Sequence, residues 1–326
     1  MRVCVFGAGA IGGHLAGRLA EGGASVSVVA RGEHLAAMRR DGLRVETPAG
    51  TIHAAVTASD DPAELGVQDA VVVTVKAPAL PSVAAGIGPL LGPATPVAFV
   101  MNGVPWWYFH CHGGPHDGRR MPTVDPGDGV WNAVGPERAV GGVVYSACEV
   151  VAPGVVEVES RRSSVVLGEP DGSRSERAER VAGPLRAGGV DVEVTARIRD
   201  AVWEKLLGNL SANPLGVLTQ TGLGDMLSEP AAAGGVRQLL AEGLAIAHAL
   251  GRDVRFDADA WIASSSRLRH KPSVVQDLER GRPMEVDALF VAPLELARLV
   301  EVPTPLLDLV VALTRLRARQ AGLYPA

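Results

Sequence analysis

Val3-Cys4-Val5-Phe6-Gly7-Ala8-Gly9-Ala10-Ile11-Gly12 is the stretch on which the fold turns. Four apolar residues read as a short strand. The three glycines then fall in G-x-G-x-x-G spacing, ahead of a helical pattern over 10–21 that ends at Gly22-Gly23. In that context each glycine has a task. Gly7 permits a tight turn, Gly9 lets the backbone approach a pyrophosphate, and Gly12 allows close packing of the helix. Ala8, Ala10 and Ile11 complete a loop whose amides, at a helix N-terminus, suit phosphate groups. The spacing alone is a weak signal; its place between a strand and a helix makes a dinucleotide site the expectation.

Outward from this loop, strand and helix signals alternate. Residues 25–30 read as a second strand and 33–40 as a second helix, while 71–75 and 97–101 are continuous apolar runs of the kind a strand buried on both faces needs. Strands separated by helices imply a parallel sheet with right-handed crossovers. Residues 140–151 and 155–166 read as paired strands around a Pro153-Gly154 turn, followed by a helix over 173–187 and a strand over 190–195. From residue 197 the pattern becomes Leu/Ala-rich and helical, over 198–211, 231–250, 258–266, 284–300 and 306–321. The expected fold class is α/β: a Rossmann-type parallel-sheet domain over 1–196, then an all-helical domain over 197–326. A length of 326 residues makes two domains the default.

Composition narrows the function. A net charge of −5 without a basic block argues against a nucleic-acid partner. Cys4, Cys111 and Cys148 are far apart and odd in number, as for reduced thiols in the cytoplasm. The N-terminus reads as a strand rather than a signal peptide, and no apolar run nears the roughly 20 residues that cross a bilayer. The second predicted strand ends at Ala30-Arg31, where an NAD site would carry Asp or Glu. Arginine suits a 2′-phosphate, so NADPH is the expected cofactor, although Glu33 lies nearby.

Of 31 basic residues only Lys76, Lys205 and Lys271 are lysine, and asparagine is confined to Asn102, Asn132, Asn209 and Asn213. Arginine stays protonated at any working pH, whereas lysine can hand over a proton. Lys76 closes the run 71–75 and Asn102 closes 97–101, both at carboxyl ends of parallel strands, where open sheets bind ligands. Lys205, Asn209 and Asn213 stand four apart and share one helix face; a polar stripe among leucines is expected to line a cleft. Pro283 could open a helix with Glu285 in its first turn. Trp106-Trp107-Tyr108-Phe109 is four consecutive aromatics in a chain only 4% aromatic, and it reads equally as a packing anchor or as a pocket wall. His110, Cys111, His112 and His116 lack a spacing that completes a ligand set, so no metal is expected. Residues 113–129 read as a long Gly/Pro-rich surface loop.

These segments together resemble the ketopantoate reductase family (2-dehydropantoate 2-reductase). The matching pieces are GAGAIG at 7–12, TVK at 74–76, NG at 102–103, KLLGNLSANPL at 205–215, SVVQDLERGRPMEVD at 273–287 and VPTP at 302–305. The resemblance implies a Rossmann domain followed by a helical domain of the 6-phosphogluconate-dehydrogenase type. It also implies hydride transfer from NADPH to the ketone carbon of a small 2-keto acid. Lys205 then matches the proton donor, and Lys76 and Asn102 match groups near both cofactor and substrate. Glu285 matches the acid that grips a distal substrate hydroxyl, while Asn209, Asn213, Ser273 and His270 match substrate-side positions. His270 stands where the family often has asparagine, and Met284 replaces its usual threonine. The chemistry agrees: negative charge grows on the carbonyl oxygen as hydride arrives, so a cation there lowers the barrier. The same chemistry on a bulkier keto acid, ketone or imine is the alternative, and a non-catalytic NADPH sensor is an alternative of another class. A homodimer is compatible with the sequence.

Overall fold

The computed structural model describes residues 1–268 and 271–325. Its strands are β1 (Arg2–Phe6), β2 (Ser25–Val29), β3 (Leu43–Thr47), β4 (Gly50–Ala54), β5 (Thr57–Ser59), β6 (Ala70–Val73), β7 (Val97–Val100), β8 (Ala139–Tyr145), β9 (Cys148–Ala152), β10 (Val155–Val158), β11 (Ser164–Gly168) and β12 (Asp191–Val194). The helices are α1 (Ala10–Glu21), α2 (Gly32–Asp41), α3 (Leu80–Gly86), α4 (Gly129–Val134), α5 (Glu176–Ala187), α6 (Ile198–Thr219), α7 (Leu223–Ser228), α8 (Pro230–Ala249), α9 (Ala258–Ser265), α10 (Ser273–Glu279), α11 (Ala292–Leu299) and α12 (Pro305–Gln320). None of them is long and apolar enough to cross a membrane.

The chain divides into two compact units: Met1–Met101 with Pro105–Ile198, and Asn102–Val104 with the chain from Arg199 onward. The short excursion at 102–104 is not anticipated by the sequence. All three of its residues meet the second unit: Asn102 bonds Glu285, Gly103 rests against Ala288, and the Val104 amide donates to the Ala288 carbonyl at 2.9 Å.

In the first unit an eight-stranded sheet runs β12-β11-β8-β7-β6-β1-β2-β5. All neighbours are parallel except β8 and β11. The valines of β6 and β7 are buried, as their uninterrupted apolar pattern requires. From β1 the chain moves to β2 on one side, then returns to β6 on the other. The carboxyl ends of β1 and β6 therefore form a topological switch point, where open α/β sheets take ligands.

The runs 140–151 and 155–166 do pair, but as a hairpin shared by two sheets. Its base, β8 with β11, lies in the large sheet; its tip, β9 with β10, joins a second sheet of order β4-β3-β10-β9. Ser146 and Ser163 hydroxyls, 3.0 Å apart, tie the hairpin where it changes sheet. The second sheet covers α1 through the missing side chains of Gly13 and Gly17. A Cβ there would stand 2.7 Å from Val156 Cγ2 and 2.6 Å from Val45 Cγ2, respectively. So α1 is packed on both sides, and even His14 is fully buried.

In the second unit α6–α12 form a helical assembly. The buried Glu242 carboxylate on α8 accepts the amides of Leu306 and Leu307 at 3.1 and 2.8 Å, capping the donors that the start of α12 leaves open. The helical pattern expected over 284–300 starts late and changes pitch. Helical geometry begins at Val286, so Glu285 precedes the helix rather than lying in its first turn, and its carbonyl accepts from the Leu289 amide. Asp287–Val291 is a π turn, in which the Ala292 amide bonds the Asp287 carbonyl. In an α-helix that amide would bond the Ala288 carbonyl; the wider turn leaves this carbonyl for Val104.

Candidate active site

At the carboxyl end of β1, Gly7 takes φ +101°, open to glycine but costly for any side chain. Gly7 and Ala8 amides both donate to the Val29 carbonyl of β2, and Thr74 Oγ1 donates to the Gly7 carbonyl at 2.8 Å, so the loop is fastened to both neighbouring strands. A Cβ on Gly12 would stand 2.0 Å from the Gly7 carbonyl oxygen and 2.4 Å from Thr74 Oγ1, so only glycine lets α1 start this close. The N-terminus of α1 at Gly9 has no side-chain cap and no acidic residue in its first turn, and a Cβ at Gly9 would meet nothing within 4 Å. Open space beside uncapped amides, with Ala10 and Ile11 opening the helix, fits a dinucleotide pyrophosphate.

The other first-unit positions flank this loop. Arg31 is exposed, separated from the end of β2 by Ala30 and at the N-cap of α2; Lys76 is exposed after β6 and caps a short 3₁₀ turn over Ala77–Ala79. Since β2 and β6 are the two neighbours of β1, the strand order sets Arg31 and Lys76 on opposite sides of the glycine loop. One residue here was not singled out from the sequence. The ring of His34 on α2 has Nε2 2.7 Å from the Ala8 carbonyl oxygen and Nδ1 2.8 Å from the Gly154 amide at the hairpin tip. Its partners are 26 and 120 residues away, so no local pattern marks it.

The aromatic run is a packing anchor. Trp106 and Trp107 are 1% exposed, Tyr108 and Phe109 0%. Trp106 packs edge-on against Phe99 and Trp131, and the Trp107 ring fills the space left by the missing side chain of Gly141. Within the loop that follows, Arg120 lies 3.5 Å over the Trp131 ring, and Asp125 caps α4 through the Val130 and Trp131 amides, both at 2.9 Å.

The second unit gathers the remaining polar residues. Lys205, Asn209 and Asn213 follow one face of α6; the first two are half-buried and Asn213 is buried. Trp261 of α9 lies against Gly208, one residue from Asn209. Asn102 Nδ2 reaches the buried Glu285 carboxylate at 3.4 Å, joining positions 183 residues apart. Behind this pair, Gly103 at φ +84° rests against the Ala288 backbone of the π turn. The C-terminal Tyr324 hydroxyl donates to Asp287, at the start of the same turn. That contact and burial push the phenol up to about 12, with burial the larger cause, so Tyr324 stays a donor at any working pH. Ser273 is the exposed first residue of α10, a helix held at its ends by an ion pair between Lys271 and Glu279. His270 lies outside the described residues.

A Rossmann-type sheet with this glycine loop, followed by a helical unit carrying a lysine–asparagine face, defines an oxidoreductase architecture. Comparison with known proteins specifies it. Residues 3–106 match the family model of ketopantoate reductase PanE/ApbA, and residues 197–318 match that of its C-terminal part. A 2-dehydropantoate 2-reductase of Mesorhizobium japonicum is 45% identical over 99% of this chain and 100% of its own length. One of Halobacterium salinarum is 30% identical over 98% of this chain and 99% of its own. A solved structure described as a ketopantoate reductase from Ralstonia solanacearum MolK2 superposes with a TM-score of 0.92 at 40% identity, covering 99% of both chains. D-mandelate dehydrogenase, solved with NADH, shares the fold at a TM-score of 0.83 and 19% identity. The chain belongs to the ketopantoate reductase family, and membership supports the reduction of a 2-keto acid.

Proposed function

We propose that this protein reduces a 2-keto acid of the 2-dehydropantoate type with NADPH. The first unit, residues 1–196 in the main, holds the cofactor on the 7–12 loop, and Arg31 receives the 2′-phosphate. The second unit, largely 197–326, holds the keto acid. Held there, NADPH would supply the hydride that the ketone carbon receives. Lys205 donates a proton to the carbonyl oxygen as negative charge grows on it, so that C=O becomes CH–OH with one hydride and one proton added. Lys76, beyond β6, adds a second positive charge near the cofactor. Glu285 accepts a hydrogen bond from the distal hydroxyl of the substrate, and Asn102 orients that carboxylate by donating to it. Asn209, Asn213 and Ser273 complete the polar contacts that align the ketone.

The observation that carries the reading is the Asn102–Glu285 pair. A buried carboxylate is costly unless hydrogen-bonded, and Asn102 supplies one such bond; this acceptor lies in the unit that also bears the lysine–asparagine face, and a hydroxyl of the keto acid is the further donor we assign to it. A bulkier substrate loses its main motivation, because the aromatic run is packed into the first unit and Met284 is itself buried. The test is a panel of small and bulky 2-keto acids followed by NADPH absorbance, with NADH as control. Best turnover of 2-dehydropantoate with NADPH is the expected result; no oxidation with any 2-keto acid would leave a nucleotide sensor instead.

A further inference from the structure

His34 is half-buried on α2, three residues past Arg31. A backbone amide can only donate, so Nδ1 accepts from Gly154. The single ring proton then sits on Nε2, which donates to the Ala8 carbonyl. Burial pushes the imidazole below its ordinary range, outweighing the opposing pull of the Ala8 carbonyl, in keeping with a neutral ring. A second proton would set an Nδ1–H against the Gly154 N–H. The hairpin tip therefore chooses the tautomer, and it is firmly seated to do so. The Gly154 carbonyl accepts from the Arg44 amide at 2.9 Å, and a Cβ on Gly154 would already stand 3.1 Å from Ala37 Cβ on α2.

The Ala8–Gly9 peptide is trans, so its C=O and N–H point in opposite directions. With the carbonyl drawn towards α2, the Gly9 N–H points away from α2, at the uncapped start of α1. A flip of this one peptide would set a carbonyl oxygen where a donor is needed, and an anion would meet a partial negative charge. We propose that His34 is a positioning residue of the nucleotide site: its Nε2–H holds the Ala8 carbonyl so that the Gly9 amide faces the cofactor pyrophosphate, and Gly154 holds the ring in the tautomer this requires. The inference rests on the reading of residues 7–12 as the dinucleotide loop.

The experiment is calorimetric titration of NADP⁺ into the full-length wild type and into His34→Leu, His34→Asn and His34→Gln. The glutamine amide reaches the place of Nε2 and keeps a donor for Ala8, while asparagine reaches only the place of Nδ1. His34→Leu and His34→Asn raise the Kd roughly tenfold, whereas His34→Gln stays within about threefold. The KM for NADPH rises in step, and the KM for the keto acid stays within about twofold. A merely structural histidine would not separate Gln from Asn, nor cofactor from keto acid. NADP⁺ bound by His34→Leu as tightly as by the wild type overturns the proposal, as does equal loss in the Gln and Asn variants. A wild type that binds no NADP⁺ overturns the reading of the loop itself, a result distinct from variants that match a binding-competent wild type.

Discussion

Gly103→Ala perturbs the proposed substrate side, at the Asn102–Glu285 pair, without replacing a side chain of the polar set. At φ +84° a residue with a Cβ is strained by about 1–2 kcal/mol. The new Cβ would also stand 2.5 Å from the carbonyl oxygen and 2.6 Å from the carbonyl carbon of Ala288. Both are backbone atoms, so no rotamer change relieves them. Reaching the 3.4 Å at which ordinary contact begins takes about 0.9 Å of separation. That stretches the Val104 N–H···O=C Ala288 bond from 2.9 Å to about 3.8 Å, beyond hydrogen-bonding range, and loses about another 1 kcal/mol. The local cost is then about 2–3 kcal/mol. Asn102, one residue away, leaves Glu285 by a similar distance. Misplacement of about 1 Å at a substrate-positioning group costs on the order of 100-fold in rate. Steady-state kinetics with the best keto acid should show kcat/KM down about 100-fold, while NADP⁺ titration, which on the proposed reading reports on the first unit, moves by less than about twofold. Wild-type kcat/KM in a folded Gly103→Ala protein would refute the argument that this backbone contact sets the Asn102–Glu285 pair.

Three further outcomes are expected. Lys205→Ala lowers kcat by about 10²- to 10⁴-fold with little change in NADPH affinity, and undiminished turnover would remove Lys205 as the proton donor. Arg31→Ala weakens NADPH by about 10- to 100-fold, the worth of hydrogen bonds to a charged group, and leaves NADH unchanged; equal loss of both cofactors would show that Arg31 does not read the 2′-phosphate. Burial lowers the His14 imidazole to about 4, and neither ring nitrogen has a hydrogen-bond partner among the described residues. Between pH 6.5 and about 4 the unfolded chain thus binds the proton that the folded chain refuses. Stability is complete above about pH 6.5 and falls by about 3 kcal/mol as pH drops to about 4. Urea midpoints measured across that range should fall in the wild type and fall less in His14→Leu; parallel curves would contradict it.

Much of the architecture was legible in residue order. The glycine loop, the valine runs of β6 and β7, and helices α8, α9 and α12 are written in patterns that repeat within one or two turns, and such patterns act before distant contacts exist. The same holds for the Lys205–Asn209–Asn213 face, which follows from helical spacing alone. The aromatic run shows where this stops. Its composition suits a core or a pocket wall equally, and only the placement of Gly141 and Trp131 made it core.

What the sequence by itself determined is therefore the alternation of the first strands and helices, the helical character from residue 197, the glycine loop and the polar residues on offer; the strands over 43–59 are not legible in it. The tertiary structure alone decided their partners. Asn102 meets Glu285 across 183 residues and His34 meets Gly154 across 120, while β10 finds a parallel neighbour in β3. The π turn that frees the Ala288 carbonyl for Val104 has no counterpart in a helical pattern that reads as continuous over 284–300. The physical reason is the same in each case. A side chain's local preference depends on its near neighbours, but a hydrogen bond between distant segments is chosen by which surfaces the packed core brings within about 3 Å.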